Sequence, residues 1–421
     1  MIYLDNAATT KMDERCNKII EKYNNEIFFN SASPYSNNLN SRIDEARNTF
    51  IDMLGGTKNA RFIFTPSATI SNNIAILGST AKKQKFFVFA EGEHSSVDSA
   101  ANFLKANGYS VKFAPLNKDG SLNLEQLEKI LDGNVGFVSV MLASNETGAV
   151  DHIKKIGEII KLKCPDAVLH VDAVQGFCKI PMHLKEWGVG LCTIASHKVH
   201  GPKGIAGLYI APNINLKPIF FGGGQEYGLC PGTLNTSGIM AFEFIAKALH
   251  STMQTNYEYV AKLKQSFISN INEIMNEHYN AAALNVWQMC GLKPGSKALS
   301  EGTKDNDIQT RNKARRGTLI NNNAVTINGD GMPYILSLTI KGIKGAVLVN
   351  MLKEQGVLIA TGSACISAKA ENRALTSMGK NKCEVMGSVR ISFSHLNTEK
   401  EVQKAAEIFV NSIKQLLSHS K

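Results

Sequence analysis

No stretch of the 421 residues approaches the roughly eighteen uninterrupted apolar positions that a membrane-spanning helix needs. The opening residues, Met1-Ile-Tyr-Leu-Asp-Asn-Ala-Ala-Thr-Thr10, lack both the basic start and the apolar run of a secretory signal, so a cytoplasmic protein is expected. None of the eight cysteines forms a CxxC pair, which removes zinc ribbons and thioredoxin-type sites, and no metal site is expected. Scattered cysteines in a chain this long read as reduced thiols, mostly buried. Lys plus Arg exceed Asp plus Glu by ten, yet no single basic block dominates. The excess reads as a solvated lysine-rich surface, with neither nucleic acid nor membrane expected as a partner. Internal repeats are absent. What is left is ordinary globular material, 43% hydrophobic and 19% charged, long enough for two domains.

From about residue 60 to 235, short apolar runs alternate with helical patterns. Lys85–Ala90, Val135–Leu142, Ala167–Val171 and Leu191–Ala195 are β-branched or aromatic and bounded by turns, which predicts buried strands. Ile153–Leu162 between two of them reads as a helix. Such alternation predicts an α/β fold with a mainly parallel sheet covered on both faces. Beyond Thr236 the pattern changes to a long helical stretch over Ile239–Met275. A basic, aperiodic stretch over Gly291–Thr318 follows and reads as a flexible insertion. A smaller α+β part closes the chain, with strands at Tyr334–Ile340 and Val389–Phe393 and helices at Gly345–Gln355 and Glu399–Leu417. The expected division is a large domain over 15–255, and a small domain of 256–421 joined by the N-terminal arm, 1–14.

Ligands of open α/β sheets sit beyond the carboxyl ends of the strands. The residues at those ends here are Glu93-His94, Asn145-Glu146, Asp172 with Gln175, and Ser196-His197-Lys198. Thr65-Pro-Ser-Ala-Thr-Ile70 opens a helix and can offer hydroxyls and backbone N–H groups to a phosphate, or simply cap the helix. A lysine for a Schiff base, an acid for a pyridine nitrogen, an imidazole and amide donors together match what pyridoxal 5'-phosphate (PLP) requires.

Eight segments in order carry a family resemblance over nearly the whole chain. They are Tyr3–Thr10, Ser144-Asn-Glu-Thr-Gly148, His170-Val-Asp-Ala-Val-Gln175, His197-Lys-Val-His-Gly-Pro-Lys-Gly204, Gly222-Gly-Gly-Gln-Glu226, Gly232-Thr-Leu-Asn235, Gly362-Ser-Ala-Cys365 and Ser388-Val-Arg-Ile-Ser392. On these the sequence resembles the PLP-dependent cysteine desulfurases of the class V aminotransferase group. The resemblance implies a PLP-transferase fold and a homodimer. It also implies conversion of L-cysteine to L-alanine, with sulfur passed through an enzyme persulfide to an iron–sulfur scaffold or another acceptor protein.

At matched positions it implies that Lys198 carries PLP and shuttles the substrate α-proton, and that Asp172 pairs with the pyridine nitrogen. His94 would stack on the ring as an acid–base group, and Gln175 would bond the phenolate oxygen. Thr69, Ser196 and His197, with Thr233 of a second subunit, would hold the phosphate. Asn145 and Arg390 would bind the substrate carboxylate. Cys365, in the small-residue loop Thr361-Gly-Ser-Ala-Cys365, would take the sulfur.

Five positions depart from the family pattern. Pro66 and Ile70 replace a serine and a glutamate, Ala195 fills the place of a phosphate-binding serine, Cys230 replaces an arginine and Tyr35 a histidine. These leave room for a related PLP lyase or aminotransferase acting on another amino acid, or for a degenerate non-catalytic paralogue.

Overall fold

The computed structural model describes residues 1–81, 86–276, 325–329, 331–362 and 372–418. Cys365 and the 291–318 stretch lie outside the described residues.

A short strand, β1 (Ile2–Tyr3), begins the chain. Seven further strands form one sheet: β2 (Arg61–Thr65), β3 (Phe86–Ala90), β4 (Ser110–Ala114), β5 (Val135–Met141), β6 (Val168–Asp172), β7 (Leu191–Ala195) and β8 (Ala206–Ile210). Their order is β2-β8-β7-β6-β5-β3-β4, parallel from β7 to β4, with β8 antiparallel to both of its neighbours. The apolar runs thus form strands where their composition predicts them. β5 through β8 are buried at every position because helices cover both faces.

The two-residue period of a strand divides the core. Phe62 and Phe64 face one side with the helices Asn37–Met53, Ile153–Lys163 and Thr236–Ser251. Ile63, Phe87 and Phe89 face the other with Ala68–Gly78 and Ser95–Ala106. Each of these buried phenylalanines contributes on the order of 2 kcal/mol.

A second sheet contains β9 (Val325–Ile327), β10 (Ile335–Ile340), β12 (Ala360–Thr361) and β13 (Ser388–Ser392), antiparallel in the order β12-β13-β10-β9. Between them in the chain, β11 (Val357–Leu358) pairs parallel with β1. The helices Met253–Asn276 and Glu399–Ser418 pack on this part, with their own apolar core. Among the described residues no helix is long and apolar enough to cross a membrane.

One expectation needs correcting. The helical stretch over Ile239–Met275 is two helices, Thr236–Ser251 and Met253–Asn276, broken at Thr252. Thr252 leaves the helical backbone region, with φ −110° and ψ 11°, and its hydroxyl bonds back to the Ala248 carbonyl at 3.1 Å. The break lets the first helix serve the large sheet and the second the small core. Apolar periodicity runs through it and so did not reveal it.

The N-terminal arm ties the two sheets together. The Ala7 N–H donates to Ser392 Oγ on β13 at 2.8 Å, and the Thr10 N–H donates to the His197 carbonyl at 2.9 Å.

Candidate active site

β3, β5, β6 and β7 run the same way, so their carboxyl ends deliver His94, Asn145, Asp172 and Lys198 to one edge. Lys198 closes a turn of 3₁₀ helix, Ser196–Lys198, directly after β7. The turn packs closely: a Cβ on Gly201 would lie 2.0 Å from Ser196 Oγ, so only glycine fits there. Ser196 is fully buried, with its hydroxyl against Gly201 and no hydrogen-bond partner among the described residues. His200 sits in the left-handed region at φ 59°. Its N–H donates to Thr10 Oγ1 at 2.7 Å, and its ring bonds the Lys11 carbonyl and Ser394 Oγ. These contacts hold a backbone that L-residues avoid.

The Lys198 amine donates to the Ala7 and Ala8 carbonyls of the arm at 2.5 and 2.7 Å. Burial first, then the charge of Arg390, lower its pKa to about 8, against the pull of Asp5, Asp172 and Glu146. An appreciable fraction of free amine is therefore present near neutrality. Asp172 is buried at the end of β6, where its carboxylate accepts from the Val174 N–H at 3.0 Å and from Asn72 Nδ2 at 2.9 Å.

Behind it, burial and the neighbouring charge of Asp172 raise Glu93 well above the carboxylate range. A second buried chain, Glu93–Ser139–His170–Thr193, backs the sheet edge, and burial lowers His170 to about 4.

Gln175 donates from Nε2 to the Ala7 carbonyl at 2.9 Å and accepts from the buried Lys179 at 3.3 Å. His197 is lowered to about 4 by burial and by the charges of Lys198, Lys203 and Lys179, and its Nδ1 meets Thr9 Oγ1 at 3.1 Å.

Arg390, on β13, crosses from the small sheet into this edge. Its Nη1 donates to the Asn145 carbonyl at 2.9 Å and reaches Glu146 at 3.5 Å, while Nη2 pairs with Asp5 at 3.1 Å. The Asn145 side chain is spent on Glu146 at 3.1 Å. Burial raises Glu146, with Arg390 opposing. The guanidinium is thus already shared between two acids, which the sequence reading did not foresee.

Thr69 is exposed in the first turn of Ala68–Gly78, whose N-cap is Ser67. Thr233 is exposed on the loop that leads into Thr236–Ser251.

The structure therefore brings together Lys198, Asp172, His94, Gln175, His197, Asn145 and Arg390, and leaves Thr69 and Thr233 at exposed positions. Two participants, Asn72 and Ser96, were missed. Asn72 is wholly buried and donates to both Asp172 and Ser96. A polar residue in an otherwise apolar helical stretch was the available signal.

The donor set fits PLP. A half-buried amine of lowered pKa suits the aldehyde, a carboxylate held by two donors suits a protonated ring nitrogen, and a helix N-terminus suits a phosphate.

Comparison with known proteins agrees. The aminotransferase class-V family pattern matches residues 2–281 and 273–405. The chain is 30% identical over 424 aligned residues to cysteine desulfurase IscS of Rickettsia akari (strain Hartford), covering 99% of this chain and 92% of that protein. It is 28% identical to a cysteine desulfurase of Nostoc sp., with 99% and 94% covered. A solved NifS-like protein superposes with a TM-score of 0.81 at 26% identity, covering 98% and 99% of the two chains. On this family pattern and this full-length likeness to a cysteine desulfurase, the chain belongs to the class-V aminotransferase family, within the PLP-dependent cysteine desulfurases.

Proposed function

We propose that this chain converts L-cysteine to L-alanine and passes the sulfur to Cys365 as a persulfide. The observation that carries the reading is the convergence of Lys198, Asp172 and Arg390 at one sheet edge in a chain related to cysteine desulfurases over 99% of its length. Bound PLP supplies an electron sink for bonds at the substrate α-carbon. The Asp172 carboxylate holds a proton at the ring nitrogen. Lys198 Nζ, free in part near neutral pH, takes the α-proton and returns it. Arg390 receives the substrate carboxylate through Nη2, in exchange for Asp5. The Cys365 thiolate attacks the substrate sulfur, so that a sulfur–sulfur bond forms as the carbon–sulfur bond breaks.

A homodimer completes the phosphate site in this reading, through Thr233 of a second copy. The exposed aromatic residues Phe220, Phe221 and Tyr227 near that loop support it. We place the domain division at 15–255 against 256–421 with the arm 1–14. The sulfur acceptor is an iron–sulfur scaffold or thiolation protein in the cytoplasm.

The test is incubation with L-cysteine and a thiol reductant. Equal yields of alanine and sulfide are expected. Pyruvate or a keto acid instead of alanine would show a lyase or an aminotransferase. Arg390→Ala should raise KM for L-cysteine about ten- to a hundred-fold, the cost of losing hydrogen bonds to a charged group, with a smaller change in kcat.

A further inference from the structure

Neither Asn72 nor Ser96 is used by the chemistry above, yet the two join Asp172 to His94 by hydrogen bonds whose directions can be assigned one at a time. A carboxylate only accepts, so the group that Asn72 turns to Asp172 Oδ2 at 2.9 Å is its NH2. The reverse orientation would set carbonyl oxygen against carboxylate oxygen. The same Nδ2 lies 2.9 Å from Ser96 Oγ and gives its second hydrogen there. Asn72 Oδ1 is left buried without a partner among the described residues. Ser96 Oγ, having accepted one hydrogen, donates its own to His94 Nδ1 at 2.8 Å. The Ser96 backbone N–H, which can only donate, points at the same ring nitrogen at 3.2 Å. Nδ1 is therefore an acceptor, and the neutral ring carries its hydrogen on Nε2.

We propose that Asn72 and Ser96 are positioning residues that fix the tautomer of His94, holding it as a neutral Nε2–H imidazole that donates a hydrogen bond and does not shuttle protons. The proposal rests on the PLP reading of the site, which gives His94 its place against the ring. Protonation at Nδ1 would set a hydrogen against the Ser96 N–H. The charged groups facing the ring are Lys198 and Asp172. Partial desolvation, with the charge of Lys198, lowers the pKa of His94 against the opposing charge of Asp172, while the residue keeps an exposed face. Proton traffic at the substrate α-carbon then belongs to Lys198, and His94 orients what lies over the sheet edge.

Nitrogen NMR of ¹⁵N-histidine-labelled, PLP-loaded protein tests this, with His94→Gln used to assign the resonances. The wild type should show a protonated Nε2 and an unprotonated Nδ1 at neutral pH. Ser96→Ala should reduce the preference for that tautomer at least about five-fold, the worth of one neutral hydrogen bond. Ser96→Thr keeps the hydroxyl and should restore the preference; Asn72→Ala, which frees the Ser96 hydroxyl to rotate, should loosen it. A wild-type ring protonated at Nδ1, or a tautomer unchanged in Ser96→Ala, would overturn the proposal. So would a loss in Ser96→Ala that threonine does not repair, because that marks a merely structural role. The readout is a ring nitrogen and not turnover. A protein with the expected tautomer that makes no alanine would sink the desulfurase reading alone.

Discussion

Lys198→Ala should lose every covalent linkage to PLP and lower turnover of L-cysteine by about a thousand-fold or more. The amine that ends the turn after β7 is the one whose pKa burial and Arg390 bring down to about 8. A pKa lowered in this way leaves part of the amine free to attack an aldehyde. Borohydride treatment of the wild type should give a stable adduct, and peptide mapping should find it on Lys198. A reducible adduct of normal yield in Lys198→Ala would remove the central assignment. The pH dependence has a definite sign. Only the free amine reacts, so capture of added PLP by cofactor-free protein should rise about ten-fold per pH unit below pH 8 and level off above it. Capture that falls with rising pH over that range would contradict the depressed pKa.

Cys365→Ser is expected to bind PLP and L-cysteine normally while losing alanine formation by about a thousand-fold. The electron sink activates the substrate but accepts no sulfur, and a serine hydroxyl is a far poorer nucleophile toward sulfur than a thiolate. Mass spectrometry of the wild type after exposure to L-cysteine should place one added sulfur on the Cys365 peptide. Five of the six described cysteines are poor competitors. Cys16, Cys164, Cys178 and Cys192 are buried. Burial pushes all four thiols up, Cys16 to about 11, which keeps them protonated. The half-buried Cys230 is raised for the same reason. β12 pairs Ala360 with Arg390 and Thr361 with Val389, so the chain leads toward Cys365 from beside the strand that carries Arg390. Full-rate turnover by Cys365→Ser would replace the desulfurase mechanism with a lyase or an aminotransferase.

The sequence alone determined β3, β5, β6 and β7, because their short β-branched and aromatic runs lie between turns and tolerate burial on both faces. It also placed Lys198, Asp172 and His94 at one edge of the sheet, since strand ends in a parallel sheet meet there whatever the side-chain details. Tertiary structure decided how those residues are held. Asn72 reaches Asp172 across 100 positions of sequence and Ser96 across 24, contacts that depend on the register of two helices against the sheet. The pairing of Arg390 with Asp5 spans 385 positions and exists only because the N-terminal arm lies along β13. The break at Thr252 was likewise settled by which core each helix had to cover. Composition and periodicity describe what a segment buries; the partners of a buried polar group are fixed only once the elements around it have packed.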